Sequence, residues 1–272
     1  MPVSWSLRAL LAAGAVVAVL TGCRSPRVAA PTGSVHLAMG NPSGASPADP
    51  NNYLIERPQY ALSYSRDRGI PNWASWQLNS DWIGELPRSQ FTPDDSLPTG
   101  WYRVTPSDYT GSGYDRGHLV PSADRDRSLE DNQAVFLMSN ILPQAPDNNQ
   151  GPWEKLERYC RELAKEGKDL YIVAGGYGRR GAIDNGRVTV PERLWKVVVV
   201  LDGPGRTAAD VTTSTRVIAV DMPNRQGIKQ SKWTRYRVSV DAIEQATGYE
   251  LLSNVAPEVQ AVIESRVERT QP

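Results

Sequence analysis

Apolar residues along the chain predict a series of strands separated by turns. Ala61–Ser65 alternates apolar and polar residues, and Trp73–Leu78 continues the pattern after a Gly-Ile-Pro-Asn turn, as expected for two paired strands. Arg187–Val190 and Leu194–Leu201 are predicted to form the two arms of a hairpin. Gly175–Gly178 is expected to be a turn, because it lacks the Lys-Ser/Thr of a phosphate loop and opens no helix. Three further runs are predicted to be strands: Ala134–Met138, Asp169–Ala174 and Val217–Val220.

Two segments show the apolar spacing of helices. The first starts at Pro152 and ends before Gly167, which suits the preference for proline in the first turn and glycine just past the last. The second is predicted over Val240–Thr247, with Gly248 ending it. Together, the strands and helices predict an α+β domain with a central, mostly antiparallel β-sheet flanked by helices. The apolar positions of the first helix are Trp153, Leu156, Tyr159 or Cys160, and Leu163.

The N-terminus has the pattern of a bacterial lipoprotein signal. Arg8 supplies a positive charge, Ala9–Leu20 is an apolar stretch too short to span a bilayer comfortably, and Leu20-Thr-Gly-Cys23 resembles a lipobox. We expect residues 1–22 to be removed and Cys23 to be lipidated. An uncleaved anchor helix is the alternative. Both interpretations predict an exported protein held at a membrane, on the periplasmic or cell-surface side. The cysteine is followed by Arg24 and not by the aspartate associated with inner-membrane retention, which is a weak indication of the outer membrane.

The rest of the chain is predicted to hold one domain. Residues 23–52, rich in Pro, Gly, Ala and Ser, are expected to form a flexible tether, so His36 is assigned no chemistry. A single domain is predicted over residues 53–267, followed by a short tail at 268–272. Cys160 is the only cysteine left in that domain, so no intrachain disulfide is possible once Cys23 is acylated. Cys160 is predicted to be a small buried residue of the helix.

The charge balance argues against a strongly basic nucleic-acid-binding protein. The 30 Lys and Arg residues equal the 30 Asp and Glu residues, and loss of Arg8 with the signal leaves a net charge of minus one. A tight nucleic-acid binder usually carries a basic excess. Arginines are nevertheless concentrated around one segment, where nearby aspartates offset them in part: Arg66, Arg68, Arg88, Arg103, Arg116, Arg125 and Arg127 against Asp108, Asp115, Asp124 and Asp126.

The run Asp115-Arg-Gly-His118 lies in that segment and contains one of only two histidines. A histidine has an unperturbed pKa near neutrality, so His118 beside an arginine is a candidate general base for chemistry on an anion. Taken alone, the motif favours a turn histidine whose hydrogen bonds are satisfied, because short motifs recur by chance.

Asparagines before the first helix provide a second candidate. Asn148 or Asn149 can cap the helix, but an amide oxygen is also a ligand that Mg²⁺ accepts. Asn149 and Glu157 would lie roughly 10–12 Å apart along the helix axis at ~1.5 Å per residue. Both cannot bind one metal directly, although a glutamate can hold a metal-bound water. Glu157 and Arg161 are neighbours on the helix surface and taken alone would be an ordinary ion pair.

Four linked motifs make the sequence resemble the DNA/RNA non-specific endonucleases, nucleases that act on both DNA and RNA and have a ββα-metal active site. They are D-R-G-H at 115–118, S-N-x-x-P-Q at 139–144, N-Q-G-x-W at 149–153 and L-E at 156–157, in family order and spacing. Shorter matches extend the resemblance over most of the domain: Tyr60-Ala-Leu-Ser-Tyr64, Leu194-Trp-Lys196, Met222-Pro-Asn224 and Thr247-Gly-Tyr249.

The resemblance implies roles for the main candidate residues. His118 would be the general base that activates water for attack on phosphorus. Asn149 would be the one direct protein ligand of a mostly hydrated Mg²⁺, which Mn²⁺ could replace, and Glu157 would orient the metal's water shell. Arg88 and Arg161 would clamp the phosphate.

Three further roles are less sharply defined by the resemblance. Arg116 would contact phosphate or brace the loop, Asp115 would orient that loop, and Asn140 would support the region of His118. The pair Asn148-Asn149 stands where the family often has a hydrophobic residue before one asparagine, which leaves open which of them binds metal. Spacing to the motif glycine and glutamate favours Asn149.

The sequence therefore predicts an exported, lipid-anchored, Mg²⁺-dependent endonuclease. It would hydrolyse DNA and RNA without sequence specificity and leave 5′-phosphate ends, as the resemblance implies. Two alternatives stay open: a surface nucleic-acid-binding or uptake protein that has lost catalysis, and a phosphodiesterase acting on a smaller phosphodiester.

Overall fold

A six-stranded antiparallel sheet forms the centre of the computed structural model, which describes residues 1–2 and 33–270. The strand order is β1-β2-β3-β6-β9-β10. These strands are β1 (Tyr53–Glu56), β2 (Ala61–Ser65), β3 (Ile70–Leu78), β6 (Lys168–Tyr177), β9 (Arg193–Asp202) and β10 (Arg216–Pro223). Two small two-stranded sheets pair β4 (Asp115–His118) with β5 (Ile141–Gln144), and β7 (Gly181–Ile183) with β8 (Val188–Val190).

Five α-helices are present among the described residues. They are α1 (Leu129–Val135), the one-turn α2 (Pro146–Asn148), α3 (Glu154–Lys165), α4 (Val240–Thr247) and α5 (Pro257–Ile263). Helix α4 has the predicted bounds, and Gly248 ends it with φ 74°, in the left-handed region that glycine adopts without strain. No helix of the described part of the chain is long and apolar enough to cross a membrane.

Both faces of the large sheet are buried. Along β3 and β6, Trp76 and Ile172 belong to one apolar core, whereas Trp73 and Val173 belong to a second. The first core also contains Leu156 and other residues of α3, and the second contains residues of α4 and α5. Burial on both faces explains why β6 and β9 are continuous apolar runs, since only a sheet with one wet face alternates cleanly.

Three local predictions are wrong. Ala134–Met138 is not a strand: α1 runs to Val135, because the Ser128 Oγ accepts a hydrogen bond from the Asp131 N–H at 3.1 Å and caps that helix. The segment that includes Val188–Val190 does not pair with β9 in a hairpin, because β8 pairs with β7 and β9 lies between β6 and β10. Gly175 and Gly176, predicted to lie in a turn at 175–178, are part of β6.

Gly175 is required for close packing, not for a turn. A Cβ at this position would lie 2.4 Å from the Asn72 carbonyl oxygen and 2.8 Å from a ring carbon of Trp195. Glycine lets the backbone pass where no side chain fits. The chain turns only at Gly178, with φ 70°.

The domain begins earlier and ends later than predicted. A compact unit begins at Gly33, and Met39 and Ala45 are buried in the second core, so residues 33–52 are not a flexible tether. At the other end, the buried Glu268 pairs with Arg216 and Arg237, both at 2.9 Å. Cys23, where lipidation is predicted, and residues 3–22 of the predicted signal lie outside the described residues.

His36, predicted to lie in a tether, is buried in the fold. Its Nε2–H donates to the Pro58 carbonyl at 2.8 Å, and its Nδ1 accepts a hydrogen bond from the Gln77 N–H at 3.2 Å. Burial, helped by the charge of Arg125 and opposed by the hydrogen bond to Pro58, lowers the pKa of His36 to about 4. The folded protein therefore holds His36 neutral at pH values where an unfolded chain protonates it.

We expect His36 to make the fold sensitive to acid. The stability it contributes is complete above its unfolded pKa of 6.5 and is lost as pH falls towards 4, by up to about 3 kcal/mol. Thermal unfolding across this range should show a steeper fall of Tm for the wild type than for His36→Gln, which keeps a donor and an acceptor but does not titrate. Equal slopes would contradict the assignment.

Candidate active site

Two strands and a helix build the site. Strand β4 pairs antiparallel with β5, so that Asp115 lies opposite Gln144 and His118 opposite Ile141. The chain then passes through α2 and a π-helical turn, Asn149–Trp153, into α3. All four motifs that carry the family resemblance lie on or beside these elements, although they are spread over more than 40 residues of sequence.

The π-helical turn has a local cause in the sequence. Gly151 has φ −119° and ψ −117°, outside the helical region, and Pro152 follows it without an N–H to donate. A Cβ at Gly151 would lie 2.8 Å from the Lys229 Cα, so a glycine is needed where these two segments meet. Such turns within helices often occur at functional sites.

The predicted residues surround one cleft, of about 370 Å³, at the junction of β4 and α3. A smaller recess of about 270 Å³ adjoins it and shares Arg88, Arg116 and Asn149. Of the predicted catalytic and metal-binding residues, only Asn140 is absent from the cleft wall. The predicted residues that line the cleft are Arg88, Arg116, His118, Asn149, Glu157 and Arg161.

His118 has an unusual environment for a histidine. Its side chain is only 9% exposed and packs against Phe91 and Phe136, with ring centroids 5.2 and 4.8 Å away. Its buried Nε2 has no hydrogen-bond partner among the described residues. Burial, followed by the positive charge of Arg88, lowers the pKa of His118 to about 3. The imidazole is therefore neutral at pH 7 and able to accept a proton.

Asn140 supports His118 from behind and does not face the cleft. It is fully buried; its side chain accepts a hydrogen bond from the Val120 N–H and donates to the carbonyls of Val120 and Val135, at 2.9–3.0 Å. Its carbonyl accepts from the Leu119 N–H at 3.1 Å. These bonds fix the backbone just after His118, so Asn140 is a positioning residue, which agrees with the supporting role that the resemblance implies.

The two neighbouring asparagines are distinguished by their contacts. Asn148 is fully buried, and both ends of its amide are used: it accepts from Gln144 at 2.7 Å and donates to the Pro223 carbonyl at 2.9 Å. Asn149 lines the cleft and donates its amide nitrogen to the Asp115 carboxylate at 2.8 Å. That bond fixes the amide so that its oxygen is the atom offered to a ligand.

Glu157 and Arg161 each form an ion pair with another residue, whereas their spacing taken alone suggests a mutual pair. Glu157 contacts the Lys196 Nζ at 3.4 Å, and Arg161 pairs with Asp124 at 3.0 Å. Burial raises the pKa of Glu157, against the charges of Lys196 and Arg161. Burial by itself would lower the pKa of Arg161, but Asp124 and Glu157 raise it. The two residues belong to a chain of alternating charges that reaches from β9 to the loop after β4.

Lys196 and Asp124 are site-supporting residues that sequence reasoning missed. Lys196 is 1% exposed, and its Nζ lies 4.2 Å from the centre of the Trp153 ring and 5.5 Å from that of Trp76. Asp124 also accepts a hydrogen bond from the Trp76 indole at 3.0 Å. The sequence contains one signal for Lys196, a charged residue at an inward-facing position of an otherwise apolar strand.

Arg88 and Arg116 are exposed at the rim of the cleft. The Arg88 guanidinium lies 5.1 Å from the centre of the Phe136 ring, and that of Arg116 lies 4.9 Å from the centre of the Phe91 ring. Arg116 also donates to the Pro106 carbonyl at 3.3 Å. The aromatic rings hold both guanidinium groups beside His118, where an arginine can bind an anion with its planar fork of donors.

A family model and several relatives match this chain. The model described as DNA/RNA non-specific endonuclease matches residues 41–258. The chain belongs to this family. A nuclease from Nostoc sp. is 53% identical over 268 residues, which are 95% of this chain and 97% of that protein. The resemblance seen in the motifs is confirmed.

Two further relatives are eukaryotic. Human mitochondrial endonuclease G is 30% identical over 218 residues, covering 74% of this chain and 70% of that protein. The mouse mitochondrial nuclease EXOG is 32% identical over 204 residues, and the chain spans about half its length, 54%. Family membership makes this protein an enzyme, a nuclease that hydrolyses phosphodiester bonds.

A solved structure confirms the fold. A chain from the crystal structure of the EndoG/EndoGI complex superposes with a TM-score of 0.69 at 23% identity, covering 81% of this chain and 91% of that one. The predicted α+β fold, with an antiparallel sheet and a ββα-metal motif, is thereby confirmed for this member of the non-specific endonuclease family.

Proposed function

We propose that this protein is an exported, lipid-anchored, Mg²⁺-dependent endonuclease that cleaves DNA and RNA without sequence specificity. One observation carries the catalytic part of the proposal. A neutral, buried histidine, a fixed asparagine amide, a glutamate and three arginines line a single cleft, although they come from separate segments of the chain. This combination provides a base, a hard-cation site and phosphate-binding cations in one place.

The residues fit a hydrated Mg²⁺ better than a fully protein-bound ion. Asn149 offers an amide oxygen, and Glu157 is held by Lys196 in the same cleft. Mg²⁺ keeps several waters and needs only one or two protein ligands. Asn149 would bind the metal directly, and Glu157 would accept hydrogen bonds from its waters. The ion would neutralise the phosphate and the leaving oxygen.

The protein's own groups would carry out the remaining steps. Nε2 of His118 accepts the proton of a water as that water attacks phosphorus in line with the leaving 3′ oxygen. The bond from phosphorus to the 3′ oxygen breaks and the leaving oxygen takes a proton from solvent water, which leaves a 5′-phosphate and a 3′-hydroxyl. Arg88, Arg116 and Arg161 bind the phosphoryl oxygens and stabilise the charge that builds up during attack.

The same arrangement accounts for the proposed lack of sequence preference. Arginines and a metal bind the phosphate, and phosphate contacts carry no direct information about the bases. The arginines are grouped at the cleft, while the formal charge of the whole chain is zero. Local positive charge allows the product to leave more readily than a globally basic surface would.

The predicted lipobox supports export and anchoring at Cys23. We expect the wild-type protein to be found in the membrane fraction. Mass spectrometry of its N-terminal peptide should show the added mass of acyl chains on Cys23. Soluble release of Cys23→Ser would support the anchor, and an unmodified wild-type peptide would refute it.

Digestion in defined metals tests the catalytic proposal. Purified protein should cleave supercoiled plasmid and RNA in Mg²⁺ or Mn²⁺, with no cleavage in EDTA, and the new ends should be direct substrates for a ligase, as 5′-phosphates are. Binding of DNA without cleavage in Mg²⁺ would instead support a binding or uptake protein. Cleavage confined to a nucleotide diester would support a small-substrate phosphodiesterase.

A further inference from the structure

Three carboxylates form a cluster on the side of the large sheet opposite the cleft. Asp241 and Glu244 lie on α4, and Glu264 follows α5 directly. One carboxylate oxygen from each lies within 4.8 Å of the other two. Ile243 and Ile263, their neighbours in sequence, pack into the second core, whereas the cleft lies against the first. The cluster is therefore separate from the active site.

Glu264 has an unusual position for an acidic residue. It is only 6% exposed, and its side chain makes no hydrogen bond to any described residue; its Oε1 is fully buried without a partner. A buried carboxylate left without a donor or a cation costs several kcal/mol. Burial, followed by the neighbouring carboxylates, raises the pKa of Glu264 to about 7, so a bound proton offsets this cost at lower pH, and a bound cation would offset it above pH 7.

The charges around Glu264 increase the free-energy cost of burying its ionised carboxylate. The ionisable groups that act on it are Glu244, Glu250 and Asp241, all of them acidic. None of the three cluster carboxylates forms a salt bridge with a lysine, arginine or histidine among the described residues. The backbone also brings the two helices together here, because the Asp241 N–H donates to the Glu264 carbonyl at 3.2 Å.

We propose that Asp241, Glu244 and Glu264 bind a structural Ca²⁺. Calcium takes oxygen ligands at about 2.3–2.6 Å, so oxygens around one ion lie up to about 5 Å apart, as they do here. The site offers no nitrogen or sulfur, which disfavours zinc. Ca²⁺ accepts irregular sets of carboxylates completed by water and carbonyl groups, whereas Mg²⁺ demands near-ideal octahedral geometry.

The ion would tie α4 to the end of α5. The chain after Glu264 continues to Glu268, which pairs with Arg216 on β10 and with Arg237. Binding at the cluster would therefore fix the C-terminal segment against the sheet. Because the ligands come from two helices that meet only in the folded chain, Ca²⁺ would bind the native state and raise its stability.

Thermal unfolding of metal-stripped protein tests the proposal. Ca²⁺ is added in a mildly alkaline buffer with excess Mg²⁺, so that the active site is already supplied with metal. At a Ca²⁺ concentration about ten times its Kd, the wild-type Tm should rise by roughly 3–5 °C. Glu264→Gln should lose this rise and, in EDTA, should unfold at or above the wild-type temperature, because it removes a buried charge.

Two further variants complete the test. Glu258→Gln removes an exposed carboxylate of α5 outside the cluster and should keep the full Ca²⁺ response. Asp241→Asn removes an exposed ligand and should weaken the response even if Glu264→Gln does not fold. Absence of a Ca²⁺-dependent rise in the wild type, or an undiminished rise in the cluster variants, would overturn the proposal.

Discussion

Replacing His118 with alanine is expected to lower kcat for plasmid cleavage in Mg²⁺ by about 10²–10⁴-fold, the usual contribution of a general base. The side chain lies against Phe91 and Phe136, and Nε2 has no described protein partner that would use it otherwise. The variant should still unfold cooperatively, because no structural hydrogen bond is lost. Steady-state cleavage rates and circular dichroism on the same preparations check both parts.

The pH dependence of kcat/KM in the wild type is a second test of His118 as the general base. Because burial and Arg88 lower the pKa of His118 to about 3, the base stays neutral well below the ordinary histidine value. The acidic limb of kcat/KM in the free enzyme should therefore lie below 6.5, and Arg88→Ala should move it upward. An acidic limb at or above 6.5 would show that His118 does not have this environment in solution.

The second large effect is expected from Asn149→Ala, with Asn148→Ala as its matched control. Loss of the Asn149 amide oxygen should lower Mg²⁺-dependent cleavage by about 10²–10⁴-fold, because a metal supplies several kcal/mol of charge stabilisation. Its hydrogen bond to Asp115 is partly exposed, so the fold should change little. The assay is cleavage rate against Mg²⁺ concentration.

Asn148→Ala should show the reverse pattern. It removes buried bonds to Gln144 and Pro223 and should destabilise the fold by about 1–3 kcal/mol. Below its lowered Tm, it should keep most of its activity. Loss of activity in Asn148→Ala with normal activity in Asn149→Ala would exchange the two assignments.

Local signals predicted much of the secondary structure. The bounds of α4 follow from its apolar spacing and Gly248, and β2 matches its alternating pattern. The errors arose where tertiary contacts override local pattern. Gly175 has the composition of a turn but is needed in β6 for close packing against Trp195. His36 lies in a polar segment rich in small residues, which packs because its polar groups find partners elsewhere in the fold.

The candidate site was predictable to the extent that its residues lie in short motifs. Six of the predicted residues line the cleft because β4, β5 and α3 come together. Their ionic partners were not predictable in the same way. The spacing of Glu157 and Arg161 suggests a mutual pair, but buried Asp124 and Lys196, from a loop and from β9, bind them instead. Such partners depend on long-range packing, which no local spacing encodes.

Chemical rescue of His118→Gly tests the central claim most directly. The claim is that a neutral imidazole at this position takes the proton from the attacking water in a metal-dependent cleft. Supercoiled plasmid should be cleaved by the wild type in Mg²⁺ and not in EDTA. The variant should be inactive in Mg²⁺ and should regain part of its activity when free imidazole is added. Cleavage by His118→Gly at the wild-type rate without imidazole would contradict the account.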